Sequence, residues 1–391
     1  MTASALDTLA RYRTINARQS AEVIRLGKQV LAQGTRLGAQ EWAVREQIAI
    51  AALDEGDIPF AQDQLARLSK KFPSSPRLLV LQGMYLEVRG QYASARIIYH
   101  GLLGKREGVV VDEVEGDDGS DGRRVMDLWR GEPDECLVTA HQRLITLELY
   151  PPSKGTGEKR QLSRWPPTPT DQAIARTVPL LTAYLDTFHS DPDAWSLLAD
   201  LYVQSTPGMR TAEGWGVDAL WEAGKVVRRA WEGKQVGSGY LEQALACCAQ
   251  RVLLEPWDVK ALVRFAEVGL LNGDVIFAYK TLLRAVEMLS EPYPASNDPA
   301  AADAEVKVEG IEGMNWSDLM CVGGWKTRVW WDLAVCTAAL ARSTSADGMS
   351  SDPPTQVPAV RKLVETRLDA LLKTKGVVAR WQAEAEAEST P

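Results

Sequence analysis

The chain has 391 residues, a formal net charge of −8, 45% hydrophobic residues and 25% charged residues. This is the composition of a globular protein, and the length predicts either two or three compact domains or one elongated repeat array. The acidic balance argues against nucleic acid as the main ligand, because phosphate binding favours a basic surface.

The cysteines and the apolar segments indicate where the chain works. Five cysteines are present, and none forms a Cys-x-x-Cys pair. This pattern argues against a disulfide framework and favours a reducing compartment. The N-terminus has no basic start followed by an apolar stretch, so we expect no signal peptide. The apolar segment 329–341 is interrupted by Asp332 and is shorter than the ~20 residues of a membrane span. We therefore expect a soluble chain, which could sit on a membrane through partners.

The predicted elements begin with N-terminal helices over 1–40 and continue as helical hairpins. The hairpins are predicted near 41–72, 76–103, 134–188, 194–256 and 259–289. Closing helices follow within about 316–375, at 325–342 and 360–375, and the polar end, 376–391, is expected to be a flexible tail. We interpret the whole chain, 1–391, as a single solenoid domain.

Three inserts interrupt the repeats, at 108–122, 150–170 and 205–239. Tyr202 and Ala244 are 42 residues apart, where a standard repeat would place them about nine apart. Within that insert, 217–231 is predicted to form a helix of its own. The insert at 150–170 is rich in proline and glycine, which predicts a loop. The acidic segment 111–122 is expected to be disordered.

Small residues recur at the spacing of a repeat protein. Ala61 and Ala95 are 34 residues apart, and so are Ala244 and Ala278. A glycine stands five residues before Ala61, Ala95 and Ala278 and marks the turn between two helices. The small side chain lets the second helix of a hairpin approach the first. A period of 34 is that of the tetratricopeptide repeat (TPR).

The first helices carry a second signature in the same register. In 195–202 a tryptophan is followed by an alanine four residues later and a tyrosine three beyond that, and 79–86 repeats the large–small–large spacing. Pro73 and Pro256 each follow the small alanine of their hairpin by twelve residues, where proline ends a helix. These features predict an all-α fold, a right-handed TPR superhelix with loop insertions. The alternative is an unrelated helical array whose periods coincide.

Several segments contain residues that the TPR pattern does not require but that one particular family shares. The chain resembles the family of subunit 2 of the ER membrane protein complex in 46–56, 71–73, the repeat that begins at Gly83, 183–188 and 193–202. The N-terminal 16–20 with its following helix also fits. Together these segments span about half of the chain, and the match weakens after about residue 290. The three inserts depart from the shorter members of that family.

The resemblance implies a subunit on the cytosolic face of the endoplasmic reticulum membrane, peripheral to it through partners. The complex inserts tail-anchored and multi-pass proteins into that membrane. The resemblance further implies a non-catalytic, cradle-like scaffold. Its partners would be the cytosolic parts of membrane subunits and a second soluble subunit.

The residues that could carry chemistry are scattered. His100, His141 and His189 fall on different predicted elements, so a metal or catalytic cluster would need distant segments to converge. Cys248 stands four residues after Ala244, at a packing position. No phosphate-binding loop or nucleophile motif is present. We therefore expect no catalytic residue, no cofactor, no metal and no nucleic-acid ligand.

The first helices of TPR hairpins line the inner curve of the superhelix, and their inward positions are the predicted partner-binding residues. These residues are Glu46, Ile50, Leu53, Arg77, Val80, Met84, Glu87, Asp193, Ser196, Asp200, Val203, Lys260, Val263, Glu267 and Leu270. We call them the inner strip. It is apolar and acidic with two basic residues, which suits a peptide with apolar anchors and some positive charge. The alternative is that several of them only face water.

Two other functions remain open from the sequence. A co-chaperone that captures a C-terminal carboxylate needs clustered basic residues, but the inner strip offers only Arg77 and Lys260. An enzyme built on a TPR scaffold needs a catalytic constellation, which the sequence lacks. In the scaffold interpretation, charge reversal at Asp200 and Glu267 is expected to weaken assembly without unfolding the chain.

Overall fold

Every regular element in the computed structural model is an α-helix within the residues that it describes. These residues are 2–32, 37–38, 40–104, 117–150, 168–209, 214–222, 224–232, 239–290, 324–346, 356–372 and 375–389. The chain forms two compact units, residues 1–159 and 160–391. The predicted all-α class is confirmed, and the helices pack as hairpins of the TPR type.

The first unit is a succession of helices in which the first six each pack on the next. They are α1 (Thr2–Thr14), α2 (Ser20–Ala32), α3 (Gln40–Glu55), α4 (Ile58–Lys71), α5 (Pro76–Val88), α6 (Tyr92–Leu102), α7 (Ser120–Leu128) and α8 (Val138–Leu149). The hairpins α3–α4 and α5–α6 match the predicted hairpins, and α6 also contacts α7 and α8.

In its described residues, the second unit contains two TPR-type hairpins and further helices around them. Its helices are α9 (Asp171–Thr187), α10 (Pro192–Ser205), α11 (Gly216–Glu222), α12 (Lys225–Glu232), α13 (Gly239–Leu254), α14 (Val259–Leu271), α15 (Val275–Ser290), α16 (Gly324–Ala346), α17 (Val357–Leu371) and α18 (Val377–Ser389). Helices α10 and α13 form one hairpin and α14 and α15 the next, while α12 and α16 both pack against α14.

The repeat register is confirmed by burial and by backbone geometry. The four alanines of the repeat are each 0% exposed: Ala61, Ala95, Ala244 and Ala278. The turn glycines have left-handed backbones, with φ of 74° at Gly56, 79° at Gly90 and 88° at Gly273. L-residues rarely adopt this conformation, which explains the glycine at this point of the repeat.

Aspartate side chains cap the N-termini of α10 and α14, the first helices of the two hairpins in the second unit. The Asp191 carboxylate accepts hydrogen bonds from the backbone N–H groups of Asp193 at 3.0 Å and Ala194 at 3.2 Å. Asp258 caps α14 in the same way and accepts from the N–H of Lys260 at 3.0 Å. Such caps satisfy N–H groups that have no partner within the helix. These caps fix where α10 and α14 begin, and therefore which of their side chains belong to the inner strip.

The end of the acidic segment 111–122 is ordered, which corrects the expectation of disorder for residues 117–122. Asp117 is buried, and its carboxylate accepts hydrogen bonds from the N–H groups of Ala93 at 2.7 Å and Ser94 at 3.2 Å. An acid from the insert therefore satisfies the start of α6. A Cβ at Gly122 would come within 2.3 Å of the Ser94 carbonyl oxygen, so α7 lies directly on the backbone of α6.

The insert at 205–239 forms two helices where one was predicted. Gly224, with a φ of 68°, separates α11 from α12. A helix also occupies the segment expected to be a flexible tail, because α18 covers residues 377–389. Trp381 of α18 is buried and packs edge-on against Trp331 of α16, with 6.2 Å between ring centroids. The sequence also predicts a loop at 291–313, and this segment lies outside the described residues.

Candidate functional site

In the first unit, the charged residues of the inner strip are paired within the chain. The Arg77 guanidinium donates a hydrogen bond to the Glu46 carboxylate, although the Arg77 side chain itself is largely exposed. Glu87 forms an ion pair with Arg143 of α8 at 3.3 Å and accepts a hydrogen bond from the Tyr99 hydroxyl. Burial of Glu87 raises the pKa of its carboxyl. The charges of Glu46, Arg77 and Glu87 are therefore already balanced by neighbours within the chain.

In the second unit, the acids of the inner strip are held by two arginines. Asp200 forms an ion pair with Arg264 at 3.4 Å and accepts a hydrogen bond from the N–H of Val217 at 3.1 Å. Glu267 is 0% exposed and receives a two-pronged contact from Arg328 of α16, at 2.5 Å and 2.7 Å. Charged groups are buried in proteins when they are paired and hydrogen-bonded in this way.

Arg328 joins three elements of the second unit. Its guanidinium lies 4.6 Å from the ring centroid of Trp221 and 4.6 Å from that of Trp325, and it donates to Asp218 at 2.9 Å. Cation–π contacts of this kind stabilise a desolvated guanidinium. The side chain therefore ties α16 both to α11 and, through Glu267, to α14.

Seven of the fifteen residues of the inner strip are buried within the chain, so these seven cannot meet a partner. The strip residues buried within the chain are Leu53, Val80, Met84, Val203, Val263, Glu267 and Leu270. In the second unit, α11, α12 and α16 pack on α10 or α14, as the contacts of Arg328 and Trp221 illustrate. Because Glu267 is inaccessible, reversing its charge is no longer expected to leave the fold intact. The strip residues with accessible side chains are Glu46, Ile50, Arg77, Glu87, Asp193, Ser196, Asp200 and Lys260.

One cleft in the second unit gathers three of these accessible residues. It has a volume of about 190 Å³ and is lined by Asp193, Ser196, Cys248, Arg251, Asp258, Lys260, Ala261, Arg264 and Trp325. Helix α13 contacts both α10 and α14, so the cleft has α10 on one side and α14 on the other. Asp193, Ser196 and Lys260 were predicted from the sequence as partner-binding residues. Trp325 and the two arginines were not: Trp325 lies on α16, Arg251 lies on α13, and Arg264 is not at an inward position of α14.

The buried cysteines near the cleft and the buried His141 of the first unit pack within the chain. Burial raises the pKa of Cys247 to about 12 and that of Cys248 further, so both thiols are neutral at pH 7. His141 is buried, and its Nε2 lies 3.2 Å from the Glu135 carbonyl oxygen. In the described part of the chain, no group of histidine, cysteine and acidic side chains has the arrangement of a metal site.

Asp332 of α16 is a buried acid beside the Glu267–Arg328 pair. It is 0% exposed, and its Oδ1 accepts a hydrogen bond from the Trp221 indole N–H at 2.7 Å. Burial and then the neighbouring Glu267 carboxylate raise the pKa of Asp332 well above 3.8, although Arg328 and Trp221 act in the opposite direction. Folding therefore favours the protonated form of Asp332.

Replacing Asp332 with asparagine should stabilise the chain increasingly as the pH rises. A carboxyl whose pKa is raised by folding contributes stability that is complete below its unfolded pKa and lost as the pH rises towards its folded pKa. Asparagine has the shape of the protonated acid but does not titrate. The variant's advantage in free energy of unfolding should grow above about pH 4 by at most about 1.4 kcal/mol per pH unit. Urea denaturation at pH 4.5, 6 and 7.5 measures it, and a constant difference would contradict a raised pKa.

None of the helices in the described residues combines the length and the apolar character needed to cross a bilayer. No family model matches the chain. Sequence relatives do. Over 198 residues, the chain is 27% identical to ER membrane protein complex subunit 2 of Xenopus tropicalis and 25% identical to subunit 2-B of Xenopus laevis. Each alignment covers 50% of this chain and 50% of the relative.

The chain is similar to ER membrane protein complex subunit 2. The resemblance seen in the sequence is thereby confirmed. The chain spans about half the length of the curated relatives that it matches. It is also 24% identical to the TPR repeat protein oca3 of Schizosaccharomyces pombe over 257 residues, covering 64% of this chain and 62% of that protein. The similarity to oca3, which is named as a TPR repeat protein, agrees with the repeat register found in the helices.

Two solved structures also match. MamA 41-end from Desulfovibrio magneticus RS-1 is 14% identical, with coverage of 65% of this chain and 97% of that chain and a TM-score of 0.33. Yeast Tom70 is 11% identical, with coverage of 99% and 95% respectively and a TM-score of 0.21.

Proposed function

We propose that the chain is a non-catalytic scaffold subunit of an ER membrane protein complex. It would hold cytosolic parts of the other subunits and thereby support the insertion of tail-anchored and multi-pass proteins. The similarity to subunit 2 of that complex carries the proposal, and the TPR-type hairpins support it because such repeats offer surfaces for peptide segments. The chain would be peripheral on the cytosolic face of the endoplasmic reticulum, bound through its partners.

Affinity purification from the native cell tests this proposal. A tagged chain should bring down the membrane subunits of the complex and a second soluble subunit in equal amounts, after solubilisation in a mild detergent. Protease added to intact microsomes should digest the chain, because it would lie on the outer face. Recovery of the chain alone, or with only chaperones, would favour the alternative of a cytosolic TPR adaptor. Protection from protease in intact microsomes would contradict the location.

The accessible residues of the inner strip are the proposed partner contacts. In the first unit these are Glu46, Ile50, Arg77 and Glu87. In the second unit they are Asp193, Ser196 and Lys260, which all line the cleft, together with the partly exposed Asp200. A carboxylate-capturing co-chaperone is less well supported, because Arg251 and Arg264 of the cleft are each held by two carboxylates of the chain.

A further inference from the structure

Two charged residues of the inner strip have no ion pair among the described residues. Four acids of the strip are paired with arginines: Glu46 with Arg77, Glu87 with Arg143, Asp200 with Arg264 and Glu267 with Arg328. This leaves Asp193 and Lys260, both of which are exposed and both of which line the same cleft. Asp193 lies on α10 and Lys260 on α14, so the cleft has an acid on one side and a base on the other.

The other cations of the cleft are already engaged. Arg251 contacts Glu255 at 2.7 Å and Asp258 at 2.8 Å. Arg264 contacts both Asp200 and Asp218. These arginines therefore add little attraction for an incoming anion, and Lys260 is the cation that remains to meet one. By the same reasoning, Asp193 is the acid that remains to meet a cation.

Part of the cleft lining is apolar. Ala261 and Cys248 belong to it and are buried, and burial keeps the Cys248 thiol protonated. The Trp325 ring forms part of the wall, with the Lys260 ammonium 5.6 Å from its centroid. Trp257, which is 66% exposed, directly precedes Asp258 of the cleft and offers further apolar surface. Such a site suits one large apolar side chain, because aromatic surface anchors apolar side chains at interfaces.

We propose that this cleft binds a partner segment with an apolar side chain flanked by an acidic group on one side and a basic group on the other. The acid would meet Lys260 and the base would meet Asp193, while the apolar side chain packs on Trp325. Opposite charges at the two sides fix the direction in which the segment lies, since the reverse direction places like charges together. The inference rests on the proposed function only in taking the ligand to be a protein segment.

Two synthetic peptides of identical composition test this inference. Each has a central phenylalanine in a glycine–serine background, with three glutamates before it and three lysines after it in one peptide and the reverse order in the other. Fluorescence anisotropy should show that the wild-type chain binds one order at least about tenfold more tightly. The variant Asp193→Lys with Lys260→Asp should prefer the other order, and the same peptides with alanine in place of phenylalanine should bind more weakly to both proteins.

A matched control is the exposed pair Asp186→Lys with Lys280→Asp, which makes the same exchange outside the cleft and should keep the wild-type preference. Circular dichroism melts show whether each variant is folded. Equal binding of both peptides to the wild type, or an unchanged preference in the cleft variant, would overturn the inference. Failure of the chain to co-purify with the complex would instead count against the proposed function and would leave the peptide result standing.

Discussion

Replacing Glu267 with lysine should unfold the second unit of the chain. Glu267 is 0% exposed and is held by two hydrogen bonds from Arg328, so a lysine would place a second cation against a buried guanidinium. Removing one partner of a buried ion pair costs about 3–5 kcal/mol, and a like charge adds to this loss. The loss is comparable to the whole stability of many domains. Urea denaturation followed by circular dichroism measures it.

Two variants separate the pairing from the mere presence of a charge. Glu287→Lys makes the same reversal at an exposed position of α15 and should change the free energy of unfolding by about 0.5 kcal/mol or less. Glu267→Met leaves Arg328 facing an apolar neighbour, whereas Glu267→Met with Arg328→Met removes both charges. The double variant should be the more stable of the two, because burying an apolar pair avoids an uncompensated charge. A Glu267→Lys chain that denatures like the wild type would mean that α16 does not cover α14.

The repeat could be predicted from the sequence because its signals are local. The glycine turn and the small alanine lie within one hairpin, so a spacing of 34 residues was enough to place Ala61, Ala95, Ala244 and Ala278 in contact positions. The caps are local as well, since Asp258 bonds an N–H group two residues further on. A periodic pattern transfers from one repeat to the next without knowledge of the tertiary structure.

The state of the inner strip could not be predicted in this way. Glu267 and Arg328 are 61 residues apart, and nothing in either local segment indicates that α16 packs on α14. The inserts have no repeat phase, so the break at Gly224 and the burial of Asp117 also depend on contacts with other helices. Positional rules therefore gave the right helices but described a buried, paired acid, Glu267, as part of an accessible surface. Asp193 and Lys260, each the second residue of its helix, are exposed.

Replacing Ala95 with tryptophan should unfold the first unit. Ala95 is 0% exposed on α6, a helix that packs against α5, α7 and α8, so no free space exists for an indole. Extra methylenes in a packed core already cost about 1–3 kcal/mol, and an indole should cost at least the upper end of that range. The damage should spread to adjacent helices, because each repeat is stabilised by its neighbours.

Ala66→Trp, at an exposed position of α4, is the matched control and should melt close to the wild type. Circular dichroism melts compare the two variants. A wild-type melt for Ala95→Trp would mean that this alanine does not lie between helices, and the repeat register would then be wrong.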